Sequence, residues 1–260
     1  MKVIILCGGK GMRLREETEY KPKPMVEIGG KPILWHIMKI YSHFGFNEFI
    51  LALGYKGEVI RNYFINYDIY NSDFTISLGN KSHVEFHNEH EEKNWKVTLV
   101  ETGDETMTGY RVKQCERYID SENFMLTYGD AVADINILQL VKFHQQQNTI
   151  GTVTGVFPPS RFGDLIVEGN LVKLFKEKIK DPENQLPING GFFVFKRQFF
   201  DYLPDNQYCD LEREPMESLT NSKQLSVYKH TGFWQCMDTY RDYDLLNNLW
   251  KNNPPWKLWQ

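Results

Sequence analysis

Apolar and polar residues follow two different periods along the chain, and the period changes from one segment to the next. Short runs of branched apolar residues bounded by glycine or polar residues are typical of buried strands, whereas apolar residues every three or four positions are typical of helices. The expected strands of this kind are 2–7, 49–53, 124–128 and 192–195, and the expected helices are 32–44, 58–67, 111–119, 135–144 and 240–251.

The alternation of strand and helix predicts an α/β fold with a mostly parallel, mixed sheet and helices on both faces. Two regions interrupt it. Three strand-like segments with no helix between them predict an antiparallel excursion, and a second strand-rich region follows residue 150. The segments are 75–78, 84–87 and 96–100 in the first region, and 150–156, 165–167 and 171–175 in the second. A single domain over residues 1–260 is expected.

Composition and charge narrow the functional classes. The chain is 41% hydrophobic and carries 30 basic against 34 acidic side chains, for a formal net charge of -4. Neither nucleic acid nor an anionic membrane is therefore an expected partner. No apolar run approaches the roughly twenty residues of a membrane helix. Four scattered cysteines, together with an N-terminus that starts on a strand, predict a cytoplasmic protein.

The first strand runs into a glycine-rich turn, LCGGKGMRL, at residues 6–14. Glycines let backbone N–H groups approach an anion closely, although the same residues also make ordinary tight turns. The spacing is neither that of a P-loop nor that of a dinucleotide-binding fingerprint. Cationic side chains follow closely and favour a polyphosphate ligand; they are Lys10, Arg13, Arg15, Lys21 and Lys23.

Six segments occur in an order that resembles the glucose-1-phosphate cytidylyltransferases, within the sugar-nucleotide pyrophosphorylase family. They are LCGGKGMRL, KPKPMVEIGGKPILWHIM, LTYGDAVAD, FKEK, INGGFFVF and GFWQCMDTYRD. The resemblance spans essentially the whole chain. It implies a glycosyltransferase-A-type fold, a Mg²⁺ cofactor, and CTP and glucose 1-phosphate as substrates that give CDP-glucose and pyrophosphate. It also implies a homo-oligomer, of which a hexamer is the expected form.

The same resemblance assigns the residues of the reaction. Arg13, Lys23 and Asp130 are the expected catalytic residues, and Asp130 and Asp238 the expected ligands of Mg²⁺. A phosphate monoester is already largely dianionic at pH 7, so the reaction needs cations and fixed geometry more than a general base. Taken alone, Asp238 could instead cap the helix that follows it, and Lys23 could be an ordinary solvated lysine. Asp134 is the expected cap of the helix near residue 135.

Two further sets of residues follow from the resemblance. The expected nucleotide-binding residues are Leu6, Gly8, Gly9, Gly11, Met12, Arg13, Lys23, Thr102, Thr108, Gly109, Arg111 and Gly129. The expected acceptor-binding residues are Glu177, Lys178, Asn189 and Gly191.

Four positions depart from the family pattern, and they leave the acceptor open. Cys7 and Met12 alter the glycine turn, Ala131 stands where glycine is usual, and Ile179 where proline is usual. A different phosphorylated acceptor, including a non-sugar one, is therefore an alternative. A nucleotide-binding subunit without activity is another, although the retained cations and carboxylates argue against it.

Two other groups of residues have simple structural interpretations. Three histidines and a glutamate could suggest zinc, but their segment is typical of a polar hairpin; they are His83, Glu85, His87 and His90. Trp250, Trp256 and Trp259 are expected to pack against the last helix or at an oligomer contact.

Overall fold

The computed structural model describes residues 1–79, 83–158, 164–176 and 186–259. Its strands are β1 Val3–Leu6, β2 Glu27–Ile28, β3 Lys31–Pro32, β4 Glu48–Leu53, β5 Phe74–Ile76, β6 Val84–Phe86, β7 Lys96–Glu101, β8 Asn123–Tyr128, β9 Ala131–Ala133, β10 Gly151–Val156, β11 Asp164–Glu168, β12 Leu171–Lys176, β13 Ile188–Lys196, β14 Leu225–His230 and β15 Trp234–Cys236. Its α-helices are α1 Arg15–Thr18, α2 Ile33–His43, α3 Gly57–Ile65, α4 Tyr67–Asn71, α5 Thr108–Gln114, α6 Ile137–Gln147, α7 Glu214–Asn221 and α8 Tyr240–Asn252.

A mixed, mostly parallel sheet forms the centre of the molecule, as the strand and helix pattern predicted. Within the described ranges it has seven strands in the order β14-β10-β13-β8-β1-β4-β7. Strand β13 runs antiparallel to its neighbours β8 and β10. Strand β14 is parallel to β10. The remaining four strands, β8, β1, β4 and β7, are parallel to one another. The carboxyl ends of β1, β4 and β8 therefore meet at one edge of the sheet, where ligand sites of such folds lie.

Helices cover both faces of this sheet, and β1 shows why. Successive side chains of a strand point to opposite faces. Val3 and Ile5 enter a hydrophobic core that is shared with α2, α6 and α8. Ile4 and Leu6 enter a second core, which residues of α5 and α7 close. A strand buried on both faces reads as a continuous apolar run, which is the pattern that predicted β1.

One predicted strand was assigned to the wrong sheet. Residues 96–100 were expected to belong to the antiparallel excursion, but they form β7, which pairs in parallel with β4 at the edge of the main sheet. The backbone of β4 offers a complete row of hydrogen-bonding partners there, and Lys96 N also donates to Asn47 O at 2.9 Å. The excursion itself is the antiparallel hairpin of β5 and β6, and β11 and β12 form a second hairpin.

Two helix starts differ from the prediction. Asn136, not Asp134, caps α6, and its side chain accepts a hydrogen bond from Gln139 N at 3.0 Å. Asp134 comes directly after β9, where its N donates to Phe233 O at 3.2 Å, and its Oδ1 lies 2.9 Å from His230 Nε2. The helix expected at 111–119 begins earlier, at Thr108, and becomes a separate 3-10 turn from Glu116.

None of the helices in the described ranges has the length and apolar character that crossing a membrane would require.

Candidate active site

A cleft of about 310 Å³ opens at the carboxyl ends of β1 and β8. Its walls come from the glycine turn, the segment before β2, the start of α5 and the turn after β8. The lining residues are Leu6, Gly9, Gly11, Met12, Arg13, Lys23, Pro24, Thr108, Tyr128, Gly129 and Asp130. The structure thus brings most of the expected nucleotide-binding residues together around one cavity.

Two carboxylates from opposite ends of the chain meet beside this cleft. Asp130 is the second residue after the end of β8, and Asp238 is the second residue after the end of β15. Strand β15 pairs antiparallel with β9, so that Cys236 lies opposite Ala131, and Met237 N donates to Asp130 O at 2.8 Å. This two-stranded pairing fixes the two aspartates next to each other.

Lys23 lies between these carboxylates. Its ammonium donates to Asp130 Oδ2 at 2.7 Å and to Asp238 Oδ1 at 2.5 Å, and the residue is only 9% exposed. Pro22 and Pro24 restrict the backbone here, and Lys23 begins a 3-10 turn that closes with Val26 N donating to Lys23 O. Lys23 is therefore a buried, oriented cation and not a solvated lysine.

Burial and charge act in opposite directions on this group of residues. Burial by itself would lower the pKa of Lys23, but Asp130 and Asp238 outweigh it and raise that pKa. Burial would likewise raise the pKa of Asp238, but the hydrogen bond and charge of Lys23 and the charge of Arg13 hold it below its usual range. Both groups remain charged at neutral pH.

Arg13 adds a second cation at the open side of the cluster. Its guanidinium lies 3.0 Å from Asp238 Oδ2, and its side chain is 74% exposed, against 16% for Asp238. Because the arginine is held at one end and open to solvent along most of its length, it can turn towards an anion in the cleft. Arginine suits this task because its planar fork binds two phosphate oxygens at once.

The glycine turn fits closely against these residues. Gly11 has a φ of +60°, and a Cβ there would come within 3.1 Å of Lys23 Cβ. A Cβ at Gly8 would lie 2.1 Å from Arg111 Nη1. Glycine is therefore needed at positions 8 and 11 for packing, whether or not the turn also binds phosphate.

The structure does not bring every expected nucleotide-binding residue to the cleft. Arg111 is 4% exposed and donates to Leu53 O at 3.0 Å and to Thr102 Oγ1 at 2.8 Å, while Thr102 donates to Leu53 O. These two residues tie α5 to the end of β4 beneath the glycine turn. Gly109 packs against Cys209, whose carbonyl accepts from Gly109 N at 2.9 Å. Their roles towards a nucleotide stay predictions.

The expected acceptor residues fall in two places. Asn189 and Gly191 lie at the start of β13, where Asn189 Oδ1 accepts from Gly191 N at 2.9 Å. Glu177 and Lys178 lie outside the described residues. Beside Asn189 the structure places two side chains that the sequence did not single out, Tyr128 and Glu212, whose hydroxyl and carboxylate are 2.7 Å apart. Tyr128 could have been identified from the sequence, because it directly precedes Gly129 and Asp130 in the LTYGDAVAD segment. Glu212 could not, because its loop is distant from that segment in the sequence.

A divalent cation fits the donor set of the cluster. Among the described residues no group of three or more His, Cys, Asp and Glu side chains could hold a metal. Mg²⁺ does not require such a group, because it commonly takes one or two carboxylates and completes its shell with water and phosphate oxygens. Asp130 and Asp238 already share one cation, the ammonium of Lys23. The carboxylate oxygens of this site are therefore of the right type and closeness.

The histidines of the polar hairpin separate into different contacts. His87 Nε2 lies 2.7 Å from Thr75 Oγ1 across the β5–β6 hairpin, and His90 Nε2 lies 2.7 Å from Asp68 Oδ1. Trp256 packs against Trp250 of the last helix, as expected, whereas Trp259 packs edge-on against Trp35 of α2, with ring centroids 5.7 Å apart. Trp256 is fully buried, and the rings of Trp250 and Trp256 stack with centroids 6.2 Å apart.

The chain belongs to the nucleotidyl transferase family, whose model matches residues 2–248. It is therefore a nucleotidyltransferase enzyme, and its fold is the glycosyltransferase-A-like nucleotidyltransferase fold that the sequence predicted.

Two curated relatives are similar over their full length. The chain is 48% identical to the glucose-1-phosphate cytidylyltransferase of Salmonella typhi over 262 residues, which covers 100% of both chains. It is 45% identical to the probable glucose-1-phosphate cytidylyltransferase of Bacillus subtilis over 260 residues, again with 100% of both covered. These similarities confirm the resemblance on which the sequence interpretation depends.

Solved structures of lower identity share the fold. HddC from Yersinia pseudotuberculosis superposes with a TM-score of 0.67 at 21% identity, covering 96% of this chain and 99% of that one. The inositol-1-phosphate CTP transferase from T. maritima superposes with a TM-score of 0.65 at 18% identity, covering 96% of each chain.

Proposed function

We propose that this protein transfers CMP from CTP to glucose 1-phosphate, forming CDP-glucose and pyrophosphate. The observation that carries the proposal is the cluster in which Lys23 joins Asp130 and Asp238 at the edge of the cleft. The full-length similarity to the two cytidylyltransferases supports both substrates.

In the proposed reaction a phosphate oxygen of glucose 1-phosphate attacks the α-phosphorus of CTP. The bond from that phosphorus to the bridging β-phosphate oxygen breaks, and pyrophosphate leaves with the bonding electrons. Both reactants are anions, so the main barrier the protein can lower is their mutual repulsion. We expect Lys23, at the floor of the cleft, to neutralise the α-phosphate, and Arg13 to bind the β- and γ-phosphates. The attacking oxygen is already deprotonated at neutral pH.

The proposed cofactor is Mg²⁺, held by Asp130 and Asp238. When bound it supplies positive charge to the phosphate oxygens and orients them for in-line attack. Substitution of the carboxylates should weaken its binding strongly. Manganese, used as a paramagnetic substitute in the presence of CTP, should bind the wild-type protein and bind the Asp130→Asn, Asp238→Asn double variant much more weakly. Equal manganese binding by both proteins would exclude this ligand pair, independently of activity.

A panel of nucleotides against acceptors tests the proposed function directly. Pyrophosphate release is measured with magnesium for CTP, UTP and dTTP, each with glucose 1-phosphate, mannose 1-phosphate or inositol 1-phosphate. We expect CTP with glucose 1-phosphate to give the highest kcat/KM. Cytosine presents an amine donor where uracil and thymine present a carbonyl, so a pocket of acceptors would discriminate by leaving buried groups unpaired with the wrong base.

Other outcomes of the panel select the alternatives. Equal rates with all three pyrimidine nucleotides would remove the choice of CTP but leave nucleotidyl transfer. Release only with inositol 1-phosphate would replace the sugar by another phosphorylated acceptor, which the T. maritima fold relative makes a reasonable second candidate. No release with any pair would favour a nucleotide-binding subunit without activity.

The remaining proposals concern the setting of the enzyme. We expect a homo-oligomer, with a hexamer as the form to test by light scattering after size-exclusion chromatography. A cytoplasmic location fits the state of Cys7, Cys115, Cys209 and Cys236, all free thiols. CDP-glucose would serve as a precursor of deoxysugars in a surface polysaccharide.

A further inference from the structure

Three side chains from distant parts of the chain form a hydrogen-bonded group next to the cluster of Lys23, Asp130 and Asp238. The carboxylate of Glu212 accepts from the Tyr128 hydroxyl at 2.7 Å and from Asn189 Nδ2 at 3.2 Å, both at Oε1. Neither contact is local, since 84 residues separate Glu212 from Tyr128 and 23 separate it from Asn189.

The position of Tyr128 ties this group to the cleft. Tyr128 is the last residue of β8, lines the cleft, and precedes Asp130 by two positions. Strand β13 runs antiparallel to β8, which brings its first residues, including Asn189, to the same edge of the sheet. The group therefore lies on the β13 side of Asp130, and the glycine turn lies on the β1 side.

The loop that carries Glu212 is fixed in place by its neighbours. Leu211 N donates to Thr108 Oγ1 at 3.0 Å, and Glu212 N donates to Asp210 Oδ1 at 3.2 Å. Thr108 Oγ1 in turn donates to Asp210 Oδ1 at 3.3 Å. Because Thr108 begins α5 and lines the cleft, Glu212 is anchored to the wall of the site itself.

The chemistry of the group suits hydroxyls and not phosphate. A carboxylate can accept about four hydrogen bonds, two of which Tyr128 and Asn189 provide here. Glu212 is exposed, so its remaining acceptor positions face solvent. The Tyr128 hydroxyl donates to this carboxylate and so orients it. A negative charge at this end repels the acceptor's phosphate, while Lys23 attracts it at the other.

We propose that Glu212 determines acceptor specificity by binding one hydroxyl of the sugar ring, and that it thereby orients the sugar phosphate with its phosphate towards Lys23. Tyr128 and Asn189 position the carboxylate. This inference rests on the proposed function, because it concerns the acceptor of that same reaction.

Monodeoxy acceptors test the assignment. The kcat/KM of the wild-type protein, Glu212→Ala and Glu212→Gln is measured with glucose 1-phosphate and with its 2-, 3-, 4- and 6-deoxy analogues. A hydroxyl bonded to a charged group contributes on the order of a 10- to 100-fold preference. We expect Glu212→Ala to lose that preference for one hydroxyl only and to keep the others. The KM for the acceptor should rise while the KM for CTP stays within about twofold, since the glycine turn proposed to bind the nucleotide lies on the other side of the cleft.

Glu214→Gln is the matched control, because it removes the same charge two residues further along, at the exposed first position of α7. It should behave as wild type with every acceptor. Unchanged deoxy preferences in both Glu212 variants would overturn the inference while leaving the proposed function intact. A wild-type protein inactive with glucose 1-phosphate would instead overturn the proposed function. Thermal unfolding of Glu212→Gln, expected to match wild type, separates specificity from loss of fold.

Discussion

At the scale of single residues, the site is defined by one buried ammonium shared by two carboxylates. Burying a charged side chain costs free energy, because the charge loses its contact with water. In this group the cost is offset, because the ammonium of Lys23 is paired with the carboxylates of Asp130 and Asp238. The side chains are 11%, 30% and 16% exposed. Such a group is poor at increasing stability but good at holding charges in a fixed arrangement before the substrates arrive.

Neutralising either carboxylate should remove most of the activity. In Asp130→Asn and Asp238→Asn we expect kcat to fall by roughly 100-fold or more, because preorganised charge at a reacting phosphate commonly contributes that much. The measurement is steady-state pyrophosphate release at saturating magnesium. Asp244→Asn, on the exposed face of α8, is the control and should stay near wild type. Near-normal turnover in both site variants would rule out their proposed role.

Replacing Lys23 should make the thermal stability of the protein depend more strongly on magnesium. Lys23→Met keeps much of the side-chain volume but leaves Asp130 and Asp238 facing each other without a cation between them, so the variant should unfold at a lower temperature in EDTA. Excess magnesium should raise its Tm by more than it raises the Tm of wild type, because the ion meets carboxylates freed from Lys23. The same magnesium shift in both proteins would show that Lys23 and the metal do not share a position.

At the scale of elements, the period of the apolar residues predicted which segments are strands and helices, but not always their partners. Strand β7 was recognised as a strand and assigned to the wrong sheet, because strand pairing depends on a free edge far away in sequence. Arg111 and Thr102 show the same limit at a site. Their residue types suit phosphate binding, but whether such side chains face a ligand or a buried carbonyl depends on how α5 packs against β4.

The start of α8 holds the Asp238 segment in place. Thr239 caps the helix and forms a capping box with Asp242, whose Oδ2 accepts from Asp238 N at 3.2 Å and from Thr239 N at 2.9 Å. The alternative that Asp238 itself caps this helix is therefore excluded, and its carboxylate is left for Lys23 and Arg13.

Removal of this cap gives a test at the element scale. Thr239→Ala should lower the free energy of unfolding by about 1 kcal/mol, a typical value for a lost N-cap. Urea denaturation of Thr239→Ala beside Thr239→Ser, which keeps the hydroxyl, isolates the effect of the hydrogen bond. Equal loss in the two variants would mean that the methyl group, not the cap, is responsible.

At the scale of the whole molecule, two neutral histidines lie inside the protein. His36 is fully buried, with Nε2 2.9 Å from Ile28 O and Nδ1 3.4 Å from Trp256 Nε1. The indole can only donate, so Nδ1 accepts and Nε2 carries the proton. Burial lowers the pKa of His36 to about 4 and that of His144 also to about 4.

Because of these two histidines, we expect the free energy of unfolding to decrease already at pH values above those at which carboxylates titrate. Unfolding raises each histidine pKa towards 6.5, so between about pH 6.5 and 4 the unfolded chain binds more protons and stability falls as pH falls. At pH 5.5 each should account for about 1 kcal/mol relative to neutral pH. Urea unfolding at the two pH values measures the loss, and His144→Gln should show a smaller one. A loss as large in that variant as in wild type would refute the contribution of His144.

The hydrogen bond between Lys23 and Asp238 joins residues 215 positions apart in the chain. On a ribosome that adds about 5 to 20 residues each second, Lys23 is made on the order of 10 to 40 seconds before its second partner exists. The hairpin of β2 and β3, which follows Lys23, also depends on the end of the chain. Its Gly29 N donates to Oδ1 of Asn247 in α8 at 3.0 Å. The enzyme is therefore expected to acquire its reactive centre only near the end of its own synthesis, so that a nascent chain cannot catalyse nucleotidyl transfer.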